Sequence, residues 1–187
     1  MELMQVVTGN GTCKVRVDGP ESRHTVVLLP AVQEAADVYD QVCVRLHNSG
    51  LRTVVPESIE GLDDTDILTI LDELKLGWAN LMGNREGAEL AWRLAAKSFG
   101  RFASLVAVDR GHPALADAAG NVAEAACPAV ELPTTVMVGG PKNRNWAELS
   151  GRHVYGEFRV VELDVDNIPV KASHELATEI VLRTSSW

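Results

Sequence analysis

Short runs of apolar residues alternate along this chain with longer stretches in which apolar residues recur every three or four positions. A short run predicts a strand, and recurrence at three and four positions predicts a helix with one buried face. The run at residues 25–29 ends at Pro30 and has no charged member, which is typical of a strand covered on both faces. The predicted strands are residues 4–7, 12–17, 25–29, 53–55, 79–82, 103–108, 134–138 and 158–163.

Helices are predicted where the apolar positions gather on one face. In residues 35–48 these positions are Ala35, Val38, Tyr39, Val42, Cys43 and Leu46. Gly50 follows as a C-terminal stop signal. Residues 63–66 supply side-chain oxygens that cap a helix running through residue 76. The other predicted helices are residues 86–97, 114–126, 146–149 and 170–183.

The order of these elements predicts an α/β fold. Gly9-Asn10-Gly11 is a strong hairpin turn signal, so the first two strands should form an N-terminal antiparallel hairpin. From residue 25 onward, strands alternate with helices over short connections, which favours a mostly parallel sheet with helices on both faces. No linker or repeat interrupts the pattern, and we predict a single domain over residues 1–187.

Composition and charge argue against several classes of protein. The chain has 187 residues, of which 46% are hydrophobic, enough for one well-buried core. Its 17 Lys and Arg against 26 Asp and Glu give a formal net charge of −9, which argues against nucleic acid or an anionic membrane surface as a partner. The sequence shows no signal-peptide pattern and no run near the roughly 20 apolar residues that a membrane span needs. We therefore predict a cytoplasmic protein.

Cysteine and histidine give no metal or disulfide signal. The cysteines are Cys13, Cys43 and Cys127, an odd number without pairing, which indicates free thiols in a reducing compartment. Cys127 is either a reactive thiol or a structural one, and Cys43 lies on the inward face of its predicted helix. The five histidines lack zinc-site spacing, and no glycine-rich nucleotide motif occurs. Neither a metal nor a cofactor is predicted.

The most distinctive segment is Gly83-Asn84-Arg85-Glu86-Gly87, between a predicted strand and a predicted helix. It keeps the two glycines of G-x-S-x-G, the nucleophile elbow, a sharp turn that projects its central side chain above the sheet. Small residues flank such a turn because the strand and helix backbones nearly touch there. The central residue here is Arg85, whose guanidinium stays protonated and does not attack carbonyl groups. The segment therefore predicts the frame of a nucleophile without the nucleophile.

With these elements in order, nearly the whole chain resembles the α/β-hydrolase fold. Residues 24–57 resemble the family's third strand through fourth strand, and residues 63–109 its second helix through sixth strand. Residues 133–140 resemble the seventh strand, and residues 158–184 the eighth strand and final helix. The resemblance implies a three-layer sandwich of about eight strands. The family often inserts a lid after the sixth strand, but only residues 110–133 lie there, so we expect no cap domain and an open, shallow pocket.

The resemblance also implies three catalytic positions, and the chain departs from the family at each. The nucleophile position falls on Arg85. The acid position follows the seventh strand, where the chain has Gly140-Pro141-Lys142-Asn143 and no carboxylate. The histidine position falls on Asn167, whose amide cannot act as a base, and His174 lies further on, inside the predicted final helix. Pro30-Ala31 replaces the usual His-Gly of the oxyanion loop. These departures indicate a degenerate triad of Arg85, Asn143 and Asn167.

Arg85 has two interpretations. In one, the start of the helix after the elbow offers unpaired N–H groups that favour anions, and the guanidinium adds a bidentate fork for carboxylate or phosphate. In the other, Arg85 pairs internally with Asp109, Glu34 or Glu86 and fills the old pocket. The predicted ligand-binding residues are Arg85, Glu86, Asn84, Ala31, Val32, Asp109 and Glu34.

Neighbouring side chains also have ordinary structural explanations. Asp109 ends the sixth strand, where Asp often caps a turn, although some relatives place their catalytic acid there. Glu34 and Glu86 are acids near helix starts, where they complement the helix dipole. Trp146 and Trp187 are candidate surface aromatics or pack locally.

Three functional hypotheses follow. The first is a hydrolase-like pseudoenzyme that binds a small anion or a protein partner through the old active-site mouth. The second is an active enzyme in which Arg85 orients substrate and Asp109 or Glu34 acts as acid or base. The third is a structural subunit, in a homodimer or beside a catalytically competent relative. The fold alone does not choose among them.

Overall fold

The structure, a computed structural model, describes residues 1–140 and 143–184. In this part of the chain eight strands form one sheet, as the sequence predicts. They are β1 (Glu2–Thr8), β2 (Gly11–Asp18), β3 (Thr25–Leu29), β4 (Arg52–Pro56), β5 (Ala79–Asn84), β6 (Phe102–Val108), β7 (Thr134–Gly139) and β8 (Phe158–Leu163). Their spatial order is β1-β2-β4-β3-β5-β6-β7-β8. The β1–β2 and β2–β4 pairings are antiparallel, and the pairings from β4 through β8 are parallel.

Helices connect the parallel strands. They are α1 (Asp40–Asn48), α2 (Asp64–Glu73), α3 (Glu86–Lys97), α4 (Arg144–Leu149), α5 (Ile168–Lys171) and α6 (Ser173–Thr184). A 3-10 turn at Ala36–Tyr39 precedes α1, so the predicted helix over residues 35–48 is divided in two. The predicted cap of α2 is confirmed: Asp63 Oδ1 accepts a hydrogen bond from Asp66 N at 2.9 Å, and Asp66 Oδ2 accepts one from Asp63 N at 3.0 Å.

Two buried clusters, one on each face of the sheet, establish the three-layer arrangement. Alternate residues of one strand point to opposite faces, and Val27 and Leu29 of β3 belong to one cluster while Val26 and Leu28 belong to the other. The first cluster takes in α2 and α3, and the second takes in α1 and α6. This arrangement explains why the central strands have no polar alternation in their sequence.

The predicted helix over residues 114–126 is wrong. The chain from Asp109 to Pro133 consists of turns and loop, with an isolated antiparallel bridge between Ala116 and Val122 and a parallel one from Val130 to Val154. Asp117 Oδ1 accepts hydrogen bonds from the backbone N–H groups of Ala119 and Asn121, both at 2.9 Å. Asp side chains compete with helix formation in this way, and the local turn outweighs the helix propensity of the alanines.

The predicted last helix, residues 170–183, is found as α6 with the separate turn of α5 in front of it. None of the helices within the described ranges is long and apolar enough to cross a bilayer.

Candidate functional site

The residues predicted for the site lie at the carboxyl edge of the parallel strands. β5 ends level with β6, where Asn84 pairs with Val108, and β7 ends level with β8, where Gly139 pairs with Leu163. The segments that follow these strand ends lie together, since Arg85 contacts Asp166 and Asp109 contacts Gly139, and we call the space between them the crevice. Ligand sites of open α/β sheets lie in this position.

Arg85 forms a sharp turn that joins β5 directly to α3. Its backbone has φ 52° and ψ −116°, so its φ is positive but its ψ lies far from the left-handed helical value near +47°. A Cβ on Gly83 would lie 2.2 Å from the carbonyl oxygen of Gly87, and a Cβ on Gly87 would lie 2.2 Å from that of Leu29. Backbone contact therefore requires glycine at both positions.

The side chain of Arg85 is exposed and reaches across the crevice to the loop after β8. Its Nη2 donates a hydrogen bond to the carbonyl oxygen of Asp166 at 3.4 Å. Within residues 1–140 and 143–184, no ion pair of 4 Å or less joins Arg85 to Asp109, Glu34 or Glu86. The guanidinium thus remains at the mouth of the crevice, in contact with a backbone carbonyl.

Two of the three acids expected beside Arg85, Glu34 and Glu86, instead hold the loop after β3. Glu34 Oε1 accepts a hydrogen bond from Ala31 N at 3.2 Å, and Glu86 Oε1 accepts one from Val32 N at 3.1 Å. The other oxygen of Glu86 pairs with Arg110 Nη2 at 3.2 Å. These N–H groups lie where the fold's oxyanion loop is expected, and the protein's own carboxylates occupy them.

A buried polar cluster lies under this loop. Asn84 is only 1% exposed, and its Nδ2 donates to Glu34 Oε1 at 2.7 Å. Its Oδ1 is buried and has no hydrogen-bond partner within the described residues. Tyr39, which the sequence suggests only as a core residue, donates its hydroxyl proton to the carbonyl oxygen of Leu29 at 2.7 Å, and burial raises its pKa well above the ordinary value. The cluster fixes Glu34 and thereby the loop.

Asp109 ties β6 to the end of β7. Its Oδ1 accepts a hydrogen bond from Gly139 N at 2.8 Å, and its φ of 56° turns the chain away from the sheet. Burial raises the pKa of this carboxyl group above 3.8, against the opposing effects of the Gly139 N–H and of the positive charges of Arg85 and Arg110. Asp109 thus has the turn-capping role that the sequence suggests, and its carboxylate is also partly desolvated.

Two amides were predicted at the remaining triad positions, and the structure shows which hydrogen-bond partners they have. Asn143 Nδ2 donates to the carbonyl oxygen of Gly139 at 3.2 Å, and its Oδ1 accepts from Trp146 Nε1 at 3.2 Å. Asn167 precedes α5, and its buried Oδ1 has no partner among the described residues. His174 lies in α6 as predicted and contacts Arg45 of α1, 3.5 Å from its guanidinium. Pro141, Lys142 and Trp187 lie outside the described residues.

The cysteines have the character of core thiols. Cys13, Cys43 and Cys127 are free, and burial raises the pKa of Cys43 and of Cys127 to about 11. Because the thiolate is the nucleophile, this burial disfavours the reactive-thiol interpretation of Cys127. Within the described ranges, no group of three or more His, Cys, Asp or Glu side chains is placed to hold a metal ion.

A cavity of about 470 Å³ lies beside the crevice, between the β6–β7 connection and α4. Asp109 and Asn143 line it, and its wall includes His112 and Trp146. His112 is 1% exposed, donates from Nε2 to the carbonyl oxygen of Pro128 at 2.7 Å and accepts at Nδ1 from Ala114 N at 3.1 Å. This pair of hydrogen bonds requires the neutral imidazole.

His112 gives the fold a pH dependence. Burial lowers its pKa below 6.5, as it does for His47, so the unfolded chain takes up protons there before the folded chain does. The free energy of unfolding should therefore be highest above about pH 6.5 and fall as the pH is lowered through the depressed pKa values. The raised pKa of Asp109 acts in the opposite sense, but only upward from pH 3.8.

Urea unfolding at pH 7.5, 6.5 and 5.5 would measure this decline. We expect it to be smaller in His112→Asn and unchanged in the control His174→Asn, which alters an exposed histidine of α6. If the free energy of unfolding of His112→Asn fell with pH as steeply as that of the native chain, His112 would not be the source of the pH dependence.

Solved structures show which fold this is. An epoxide hydrolase from Vigna radiata superposes with a TM-score of 0.81 and 13% sequence identity, over 100% of this chain and 98% of the other. A hydrolase from Pseudomonas aeruginosa gives 0.79 and 16%, over 98% of both chains, and an enol-lactonase from Burkholderia xenovorans gives 0.76 and 14%, over 98% of this chain and 100% of the other. No family model and no curated protein sequence matches this chain. At these identities the likeness concerns the fold.

Proposed function

Because the chain has the α/β-hydrolase fold, we propose that it is a hydrolase-fold protein without hydrolytic catalysis, in which Arg85 at the crevice mouth binds a small anion. The observation that carries the proposal is the placement of Arg85. It occupies the strained turn between β5 and α3 and touches the loop after β8 that ends at Asn167. The family resemblance implies a nucleophile and a base at these two places, and the residues there are Arg85 and Asn167.

The loop after β3 supports the absence of catalysis. Stabilisation of an oxyanion needs preorganised N–H groups that point at the developing charge. Here the N–H groups of Ala31 and Val32 already donate to the carboxylates of Glu34 and Glu86. A substrate oxyanion would have to displace two carboxylates and would meet their negative charge.

The guanidinium supports anion binding. Arg85 is exposed, and the one hydrogen bond of its guanidinium within the described residues uses a single N–H at 3.4 Å. Arginine offers five N–H donors in a planar fork that matches a carboxylate or phosphate. A carboxylate on a small molecule and an acidic side chain on a protein partner share this chemistry.

A second candidate function is an active enzyme in which Asp109 is the acid or base. The observation in its favour is the burial that raises the pKa of Asp109 beside two arginines. Against it, Asp109 Oδ1 is engaged with Gly139 N. Turnover of an ester, an epoxide or an enol-lactone that is lost in Asp109→Asn would favour this function over the first.

Arg85→Ser tests the absence of catalysis. We expect no hydrolysis of p-nitrophenyl acetate above that of a heat-inactivated sample and no labelling by a fluorophosphonate probe, because Asn167 supplies no proton acceptor. Measurable turnover by this single variant would contradict the proposal.

Arg85→Gln tests the anion site. Titration of acetate and of phosphate, followed by calorimetry, should show binding to the native chain that is at least about tenfold weaker in the variant. Arg23→Gln is the matched control, since Arg23 is exposed at the turn before β3, at the opposite edge of the sheet. Equal losses in both variants would mean that only net charge matters.

A further inference from the structure

The cavity of about 470 Å³ beside the crevice is large enough for a small organic molecule. Its floor is the end of β6 and the first turn of α3, and Trp146 of α4 forms one side. The segment 115–123 covers it. Several alanines, Leu115 and Val122 give this cover an apolar part, and polar side chains make up the rest of the lining.

The cover is a small hairpin loop. Ala116 and Val122 form an antiparallel bridge, and Asp117 closes the turn between them through backbone hydrogen bonds. Residues 116–123 are exposed, so the loop shields the cavity without being packed into the core.

Most polar groups of the wall are already satisfied by the protein. Both ring nitrogens of neutral His112 are hydrogen-bonded, and Trp146 Nε1 donates to Asn143. Arg110, the single guanidinium among the lining residues, pairs with Glu86 at 3.2 Å and Glu89 at 3.7 Å. The wall therefore has no free positive charge within the described part of the chain.

Asp109 is the exception. Its Oδ1 accepts from Gly139 N, but its Oδ2 has no hydrogen-bond donor among residues 1–140 and 143–184. Glu89 and Asp117 also line the cavity, but Glu89 pairs with Arg93 and Arg110, and Asp117 Oδ1 accepts from two backbone N–H groups. Asp109 is therefore the carboxylate with an open oxygen. A partly buried carboxylate with an open oxygen is stabilised by a cationic donor.

We propose that this cavity binds a small apolar molecule that ends in a protonated amine, with its apolar body against Trp146 and the alanine-rich loop and its ammonium on Asp109 Oδ2. The site is distinct from the anion site of Arg85, because Arg85 does not line the cavity, although the two share the crevice edge at Asp109. The two proposals can therefore fail separately.

Benzylamine is the probe, with benzyl alcohol and benzoate as neutral and anionic analogues of nearly the same shape. Calorimetry and protein-observed NMR at pH 7 should show benzylamine binding at least about tenfold more tightly than either analogue. The NMR shifts should centre on the Trp146 indole and on residues 115–123. Either of two results would overturn the proposal. One is the absence of benzylamine binding at about 10 mM, and the other is binding of benzyl alcohol as tight as that of benzylamine.

Two pairs of variants locate the ligand. Asp109→Asn should weaken benzylamine binding at least about tenfold, and it keeps the fold because Asn accepts from Gly139 N and tolerates positive φ. Arg85→Gln should bind benzylamine no more weakly than the native chain, even if it has lost acetate binding.

Ala123→Trp fills the cavity and should abolish benzylamine binding. Ala126→Trp, on the same connection but outside the cavity wall, should leave this binding unchanged. Binding that survives Asp109→Asn and Ala123→Trp would place the amine elsewhere and overturn the proposal.

Discussion

Replacing Gly87 by alanine is expected to lower the free energy of unfolding by about 3 kcal/mol or more. The new Cβ would lie 2.2 Å from the carbonyl oxygen of Leu29 and 2.5 Å from that of Pro30. Both oxygens belong to the backbone at the end of the central strand β3, which cannot rotate aside as a side chain can. Urea unfolding followed by circular dichroism would measure the loss.

Gly77→Ala is the matched control for this effect. A Cβ on Gly77 has no atom within 4 Å, and its φ is not in the positive range. We expect its free energy of unfolding to stay within about 0.5 kcal/mol of the native value. If Gly87→Ala proved as stable as Gly77→Ala, the backbone of α3 would not approach the end of β3 as closely as described.

The turn at Arg85 is held by the surrounding backbone as well as by the two glycines. Arg85 N donates to the carbonyl oxygen of Val108 at 2.9 Å, and Arg85 O accepts the first helical hydrogen bond, from Glu89 N at 3.0 Å. A non-glycine residue at such dihedral angles costs on the order of 1–3 kcal/mol and persists where neighbours over-determine it. The turn therefore has a structural role in joining β5 to α3 that does not depend on a nucleophile at its apex.

The sequence predicted the layers of this fold because each central strand is apolar throughout and each flanking helix has one apolar face. Val26 to Leu29 illustrate this, since alternate residues serve opposite faces and none can be polar. The segment after β6 could not be predicted in the same way. Its alanines favour a helix, but the competing hydrogen bonds of Asp117 and the burial of His112 depend on its position in the folded chain.

For the candidate site, the sequence identified the turn of the backbone at residues 83–87 but not the hydrogen-bond partners of the side chains around it. The glycines at 83 and 87 identify the turn, because a Cβ on Gly83 would meet the backbone of Gly87 only four residues further along the chain. The capture of Val32 N by Glu86 and the contact of Arg85 with Asp166 join segments far apart in sequence. Which partner a side chain contacts depends on differences in distance of about an ångström or less, and the pattern of apolar residues along the chain carries no information on such distances.

At the opposite edge of the sheet, Arg183 anchors α6 to β7 through a buried network. Its side chain is 5% exposed. Nε donates to Thr135 Oγ1 at 2.8 Å, and Nη2 donates to the carbonyl oxygen of Thr134 at 2.9 Å. Thr135 Oγ1 also donates to buried Glu179, which pairs with Arg159 at 3.0 Å. The positive charge of Arg183 therefore lies beside a carboxylate that has little access to water.

Arg183→Met is expected to cost about 2–4 kcal/mol of stability, because it keeps most of the apolar stem but leaves the Thr134 carbonyl without this donor and Glu179 with less positive charge nearby. The same substitution at Arg144, which is 48% exposed and pairs with Glu148 at 2.8 Å on the surface, should cost no more than about 1 kcal/mol. Chemical unfolding of the two variants side by side separates the effect of losing a buried arginine from the effect of losing one positive charge, because both variants lose the charge and only Arg183 is buried. Similar small losses in both would show that the Arg183 network contributes no more than a surface ion pair, and that α6 is held mainly by its apolar packing, to which Leu176, Ala177 and Ile180 contribute.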